Sequence, residues 1–188
     1  MLNAASVGDD ISLCHTQARL LLLDILLSEI RQVFPQISYE LDANSRTANA
    51  QALARGDVRA VRLYGGLALH PLIGADALVF ALLHETGHHL AKGRRFALDP
   101  MLACECAADK WALTTGVGKW KRRFDRRFSI NAATSQLGAV LTLVRGEPPS
   151  NIKSAKGRTN ACWAVCWETR ATRLRSGRCS NLANHCHR

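Results

Sequence analysis

The pattern of apolar and polar positions predicts one helix followed by short strands. Apolar residues recur with helical period between residues 20 and 34, and Pro35 ends the run. These residues are Leu20, Leu23, Leu27, Ile30 and Phe34. Three β-like runs follow, separated by turn-forming residues, at 37–41, 48–53 and 58–67. We therefore expect an amphipathic helix and then a small, mostly antiparallel sheet.

Three more helices are expected in the second half of the chain. The first covers about 75–92, and its nearly all-apolar first half must be buried. Asp99 followed by Pro100 is typical of an N-cap and a first helical turn, which predicts a second helix that ends near Gly116. The last helix is predicted over about 129–144. The order of elements indicates an α+β fold.

Length and charge divide the chain into a folded body and a tail. A chain of 188 residues, 47% of them hydrophobic, is long enough for one core, which we place at 1–146. Of the net charge of +10, residues 151–188 carry 8 Lys and Arg against 1 acidic residue, whereas residues 1–150 carry 17 against 14. We expect 147–188 to be a poorly ordered basic tail that makes weak, nonspecific contact with acidic surfaces.

One basic cluster lies within the body, "KWKRRFDRR" at 119–127, where aromatic residues are interleaved with cations. Such a patch can follow the phosphates of a nucleic acid, which keeps a nucleic-acid-binding protein open as an alternative. A solvated helix face accounts for the same residues.

The seven cysteines do not indicate a disulfide scaffold. Their number is odd, and the three in the body show no framework spacing, so we expect the body to fold without bridges. The tail leaves a second metal site open as an alternative. Its candidate ligands are Cys162, Cys166, Cys179, His185, Cys186 and His187.

No targeting or membrane segment is recognised. Residues 1–17 lack a basic stretch followed by an apolar one, so they do not resemble a secretory signal. The most apolar window, 18–34, is short and interrupted by charges. We expect a soluble chain without a transmembrane segment, and the sequence leaves its compartment and oligomeric state open.

"HETGHH" at residues 84–89 carries the chemistry. Two histidines four residues apart on a helix can bind one Zn²⁺, and the intervening Glu85 is then turned toward the water on the metal. The spacing fits His84 and His88, not His89. A chance run on an ordinary helix is the alternative.

A third ligand and a supporting carboxylate follow on the next predicted helix. A catalytic zinc site needs three protein ligands, and Glu105 can reach the histidines if the two helices are antiparallel. Asp109, one turn further on, is placed to accept a hydrogen bond from a ligating imidazole. The three ligands predict one Zn²⁺ per chain.

"HETGH" followed by "ECAAD" resembles the paired metal motifs of gluzincin metallopeptidases, in particular those of the HtpX and CaaX-prenyl-protease type. "NAQA" at 49–52 is similar to the edge-strand motif of that family, and "YGGLALHP" at 64–71 to the segment before its zinc helix. The resemblance covers about residues 48–115. It implies a zincin-like fold of minimal gluzincin type, and a substrate strand that pairs at Asn49, Ala50, Gln51 and Ala52.

The resemblance also implies a function. It assigns His84, His88 and Glu105 as zinc ligands, Glu85 as general base and acid, and Asp109 as the support of a ligand. The chain is thus predicted to be a zinc metalloendopeptidase acting on a protein or peptide substrate. The sequence identifies no counterpart of the family's downstream His or Arg at the oxyanion, so a metal-binding but catalytically weak homologue stays open.

Overall fold

Helices and strands follow one another nearly in the predicted order. The computed structural model describes residues 6–96 and 99–144, and the predicted tail at 147–188 lies outside them. The first half contains α1 Gln17–Val33, β1 Ser38–Asp42, β2 Ala50–Arg55, β3 Val58–Tyr64 and the short α2 Gly65–Ala68. The second half contains α3 Ala75–Leu90, β4 Arg95–Phe96, β5 Asp99–Ala103, α4 Glu105–Trp111, α5 Val117–Phe124 and α6 Ile130–Val144.

Helix α1 confirms the first predicted element. The hydroxyl of Thr16 accepts a hydrogen bond from the amide of Arg19, which caps the helix N-terminus. The buried face carries Leu23, Leu26, Leu27 and Ile30. Leu20, which the periodicity placed on the same face, is 42% exposed. Within the described residues, no helix is long and apolar enough to cross a membrane.

The three-stranded sheet is mixed. Its order is β1-β3-β2, with β1 parallel and β2 antiparallel to β3, so the expectation of a mostly antiparallel sheet is wrong. The alternation of side chains is the same for both strand directions, whereas the path of the connections decides the direction. Strand β2 lies at one edge of the sheet. Residues 65–67, predicted to extend the third strand, begin helix α2 instead.

Helix α3 runs through the middle of the core. Every residue from 77 to 89 is buried, and the helix contacts the sheet on one side and α4 and α6 on the others. Helix α6 confirms the last predicted helix, and the amide of Gly74 donates to Gln136 on it. The motif at 84–89 is therefore held on the best-packed helix of the described chain.

The predicted start of the glutamate helix is wrong. Asp99 begins β5, which pairs with β4, and its carboxylate accepts the amide of Met101 instead of capping a helix. Pro100 is compatible with this two-stranded edge. The helix begins at Glu105, after Cys104 as N-cap. Because a local Asp-Pro signal suits several turns, the strand pairing overrides it.

The predicted end of the glutamate helix near Gly116 is also wrong, because the helical backbone continues beyond this residue. One turn of π-helix, Ala112–Gly116, joins α4 to α5. Cys14 and Cys104 are free thiols, and Cys104 is buried.

The basic cluster at 119–127 lies mainly on α5 and is only partly surface. Trp120 is buried and donates through its indole nitrogen to Glu29 over 2.8 Å. Arg126 also donates to Glu29. The remaining cations of the cluster are exposed, as on a solvated helix face. The interleaved tryptophan therefore contributes to the core and offers no stacking surface.

Candidate metal centre

Three ligand atoms from α3 and α4 converge on one point. His84 and His88 lie one turn apart on α3, and Glu105 is in the first turn of α4. His84 Nε2 is 3.1 Å from both His88 Nε2 and Glu105 Oε2, and His88 Nε2 is 3.4 Å from the same Glu105 oxygen. In a tetrahedral zinc site with bonds of about 2.0–2.1 Å, neighbouring ligand atoms are about 3.3 Å apart. The three atoms thus have the separations that one such cation requires, and together they form a group that could hold a metal ion.

The far nitrogen of each imidazole is held by an acceptor. His84 Nδ1 is 2.8 Å from Asp109 Oδ1, and His88 Nδ1 is 2.7 Å from the carbonyl oxygen of Ala103. Both acceptors favour a proton on Nδ1, which leaves the lone pair of Nε2 directed to the point of convergence. Asp109 is fully buried and lies within hydrogen-bond distance of an imidazole, as its spacing predicted. Because Ala103 ends β5, the strand that replaced the predicted helix turn supplies the second acceptor.

Hydrogen bonds within the cluster shift the pKa values of His84 and Glu105. Burial lowers the pKa of His84, but its hydrogen bonds to Asp109 and Glu105 outweigh burial, so the pKa lies well above 6.5. Burial raises the pKa of Glu105, but the hydrogen bonds with both histidines hold it far below its ordinary value. Acceptors that favour a proton on the imidazoles would also favour a divalent cation, which displaces such protons when it binds.

Glu85 lies beside the ligands and is tied to the sheet. Its Oε1 is 3.9 Å from His84 Nε2, and its Oε2 accepts the backbone N–H of Ala52 over 2.7 Å. Burial raises the pKa of this carboxyl, which is 5% exposed. A buried carboxylate next to the ligands, with one oxygen facing them, is placed to exchange a proton with a water there.

Comparison with protein-family models, curated proteins and solved structures finds no match. The assignment of this centre therefore depends on its own geometry and on the motifs of the chain.

The remaining polar residues of the motif, Thr86 and His89, have structural partners. His89 Nε2 is 2.9 Å from the carbonyl oxygen of Ala60, which ties α3 to β3, so the spacing argument that set this histidine aside agrees with the geometry. The hydroxyl of Thr86 lies 2.8 Å from that of Tyr39 in β1. Burial raises the pKa of Tyr39, so its hydroxyl stays protonated. These two contacts fix the rotation of α3 against the sheet.

The predicted substrate strand forms the edge next to the centre. Asn49 immediately precedes β2 and its carbonyl accepts the amide of Tyr64, while Ala50 and Ala52 are buried within the strand. Gln51 is exposed on the opposite face, where its side chain accepts the hydroxyl of Tyr64. The strand and Glu85 are thus in direct contact, and Gln51 points away from the ligands.

Gly87 is a residue of the centre that the sequence argument missed. A Cβ at this position would lie 2.7 Å from the carbonyl oxygen and 2.9 Å from the Cα of Ala108 on α4. The absence of a side chain lets α4 approach α3 closely enough for Glu105 and Asp109 to reach the histidines. A glycine in the middle of an otherwise good helix was the available signal, because it costs stability unless packing requires it.

Replacement of Gly87 by Ala is expected to lower the free energy of unfolding by about 1–3 kcal/mol, since the added methyl group must push back a backbone. It should also weaken metal binding, because α4 carries one ligand and one support. Gly118→Ala is the matched control: its Cβ would meet only the end of the Arg122 side chain, at 3.5 Å. That variant should gain about 0.5–1 kcal/mol in denaturant unfolding. Equal stability of the two variants would contradict the close approach at Gly87.

Proposed function

We propose that the chain is a zinc-dependent metallopeptidase of minimal gluzincin type. The observation that carries this proposal is the convergence of His84 Nε2, His88 Nε2 and Glu105 Oε2, with both Nδ1 atoms held from behind and Glu85 alongside. A set of two imidazoles and one carboxylate is a donor set of catalytic zinc sites, which keep a further position open. The oxygen-only sets that Mg²⁺ and Ca²⁺ favour differ from it.

Each residue of the centre has a distinct role in this proposal. His84, His88 and Glu105 hold the cation, and Asp109 and the Ala103 carbonyl orient the two imidazoles. When bound, zinc supplies Lewis-acid polarisation of a carbonyl and lowers the pKa of a water. Glu85 takes the proton of the attacking water and passes it to the amine that leaves as the peptide bond breaks. One carboxylate can do both because it is buried and ends each cycle ionised.

The substrate class is an extended peptide. Strand β2 is an edge strand next to the ligands, and its outward backbone groups offer the pairing that extended peptides use. A polypeptide held there presents its carbonyl groups to the centre. This supports an endopeptidase acting on unfolded or loop segments, because a folded strand already has its partners.

Removal and return of the metal tests the proposal. Peptidase activity on an unfolded protein such as casein is expected to disappear after treatment with a chelator and to return with one equivalent of Zn²⁺ per chain. Mg²⁺ should not restore it, because it prefers oxygen ligands and keeps its waters. Activity that survives complete removal of zinc would contradict the proposal, as would a zinc-loaded chain without any activity on unfolded protein.

A further inference from the structure

The backbone amide of Ala52 is the point where the sheet edge and the carboxylate of Glu85 meet. In an antiparallel pair, residues alternate between those bonded to the partner strand and those whose N–H and C=O point away. The amide of Tyr64 donates to Asn49, which makes 49 and 64 a bonded pair, so Ala50 and Ala52 point away from β3. The hydrogen bond from Ala52 to Glu85 agrees with this register.

An extended peptide that adds to β2 needs the same amide. Strand addition uses the outward N–H and C=O groups of the edge, and Ala52 supplies the outward donor that lies beside Glu85. In the described chain that N–H is already used by Glu85 Oε2, at 2.7 Å. The Ala52 N–H donates to a charged carboxylate, and such a hydrogen bond is stronger than one to a neutral peptide carbonyl. A peptide carbonyl must therefore displace Glu85 to pair there.

We propose that the Ala52 amide is a contested donor, which positions Glu85 in the resting chain and passes to the substrate backbone when a peptide pairs with β2. Glu85 is almost fully buried, so a carboxylate that loses this donor must find another. The attacking water between Glu85 and the ligand atoms is that donor. When the substrate pairs with β2, the carboxylate of Glu85 therefore turns to the water whose proton it accepts.

The inference, which rests on the proposed function, makes Ala52 a positioning residue that acts through its backbone. It also explains why the small residues of β2 suit the site: Ala50 and Ala52 let the edge approach α3 closely, with Ala52 7% exposed. A short ligand that reaches the metal but cannot pair with β2 would leave Glu85 hydrogen-bonded to the Ala52 amide. The position of Glu85 would then distinguish extended peptides from short ligands.

The test compares two hydroxamates on the zinc-loaded chain. Acetohydroxamate reaches the metal without pairing, and an alanine tripeptide hydroxamate can also pair with β2. The readout is the affinity of the tripeptide hydroxamate divided by that of acetohydroxamate, both measured by calorimetry. This ratio cancels any effect of Glu85 on the hydroxamate group, which the two ligands share. Glu85→Ala should raise this ratio about tenfold, since the peptide no longer competes for the amide. Glu85→Gln, whose amide oxygen still accepts from Ala52, should leave the ratio closer to that of the parent.

Amide hydrogen exchange gives a second, binding-independent readout. The Ala52 amide should exchange slowly in the parent, quickly in Glu85→Ala, and slowly again when the tripeptide hydroxamate is added to that variant. The Ala54 amide, also outward but without Glu85 as partner, should not respond to the substitution. An unchanged affinity ratio, or an unchanged Ala52 rate in Glu85→Ala, overturns the inference while leaving the peptidase intact. Binding of neither hydroxamate would instead overturn the proposed function and this inference with it.

Discussion

Chains carrying His88→Ala or Glu105→Ala are expected to purify without zinc under conditions in which the parent holds about one zinc per chain. Each substitution removes one of the three candidate ligands that the described residues bring together. Loss of a group that merely supports a ligand typically weakens metal binding 10–100-fold, so loss of a ligand itself should exceed about 100-fold. The two ligands come from different helices, so parallel losses would establish that α3 and α4 hold one ion together. The measurement is elemental analysis of the purified proteins.

His89→Gln is the matched control for this experiment. It removes an imidazole from the same helix, one residue beyond His88, but that imidazole bonds the Ala60 carbonyl and not the ligand cluster. This variant should keep its zinc, although it loses stability because the bond is buried. Zinc retained in both ligand variants would mean that the metal is held elsewhere, and the centre on α3 and α4 would be wrong.

Glu85→Gln is expected to reduce kcat/KM for peptide hydrolysis by about 10²–10⁴-fold while the zinc content stays the same. A positioned general base typically contributes a factor of this size. The amide of Gln has nearly the same shape and can still accept from Ala52, but it cannot take a proton from water. Since Glu85 is not one of the three residues whose ligand atoms converge, its replacement should leave metal binding in place.

The comparison for this variant is Glu40→Gln, which removes a carboxylate from an exposed ion pair with Arg62 in the sheet. An exposed pair contributes little to stability, so activity should stay within about twofold of the parent. Peptidase kinetics on zinc-loaded proteins check both variants. If Glu85→Gln retains the activity of the parent, hydrolysis does not pass through this carboxylate, and a metal-binding but catalytically weak protein becomes the better description.

The order and kind of most elements could be predicted because local patterns determine them. The helical period of the first element and the apolar run before "HETGHH" each specify a helix that must bury one face, and α1 and α3 form there. The spacing of the histidines and of Glu105 with Asp109 placed both pairs on single helix faces. The residues of the candidate metal centre could be predicted for the same reason.

The prediction failed where a neighbouring strand competes with a local signal. Asp99 and Pro100 fit a helix start by themselves, yet pairing with β4 extends them as β5, and this strand delivers the Ala103 carbonyl to His88. The parallel direction of β1 relative to β3 also could not be predicted from the hydrophobic pattern. Hydrophobic alternation records which face of a strand is buried, but not which strand lies beside it.

The sequence by itself determined the helix that carries the two histidines, the carboxylates one turn apart, and hence the donor set of the centre. Only the tertiary structure decided that these groups converge, because convergence requires the close approach of α3 and α4 at Gly87 and the edge of β2 at Glu85. A spacing along one helix is fixed by the backbone hydrogen bonds of that helix. A distance between two elements depends on the packing of side chains far apart in the chain, which no short stretch of residues contains.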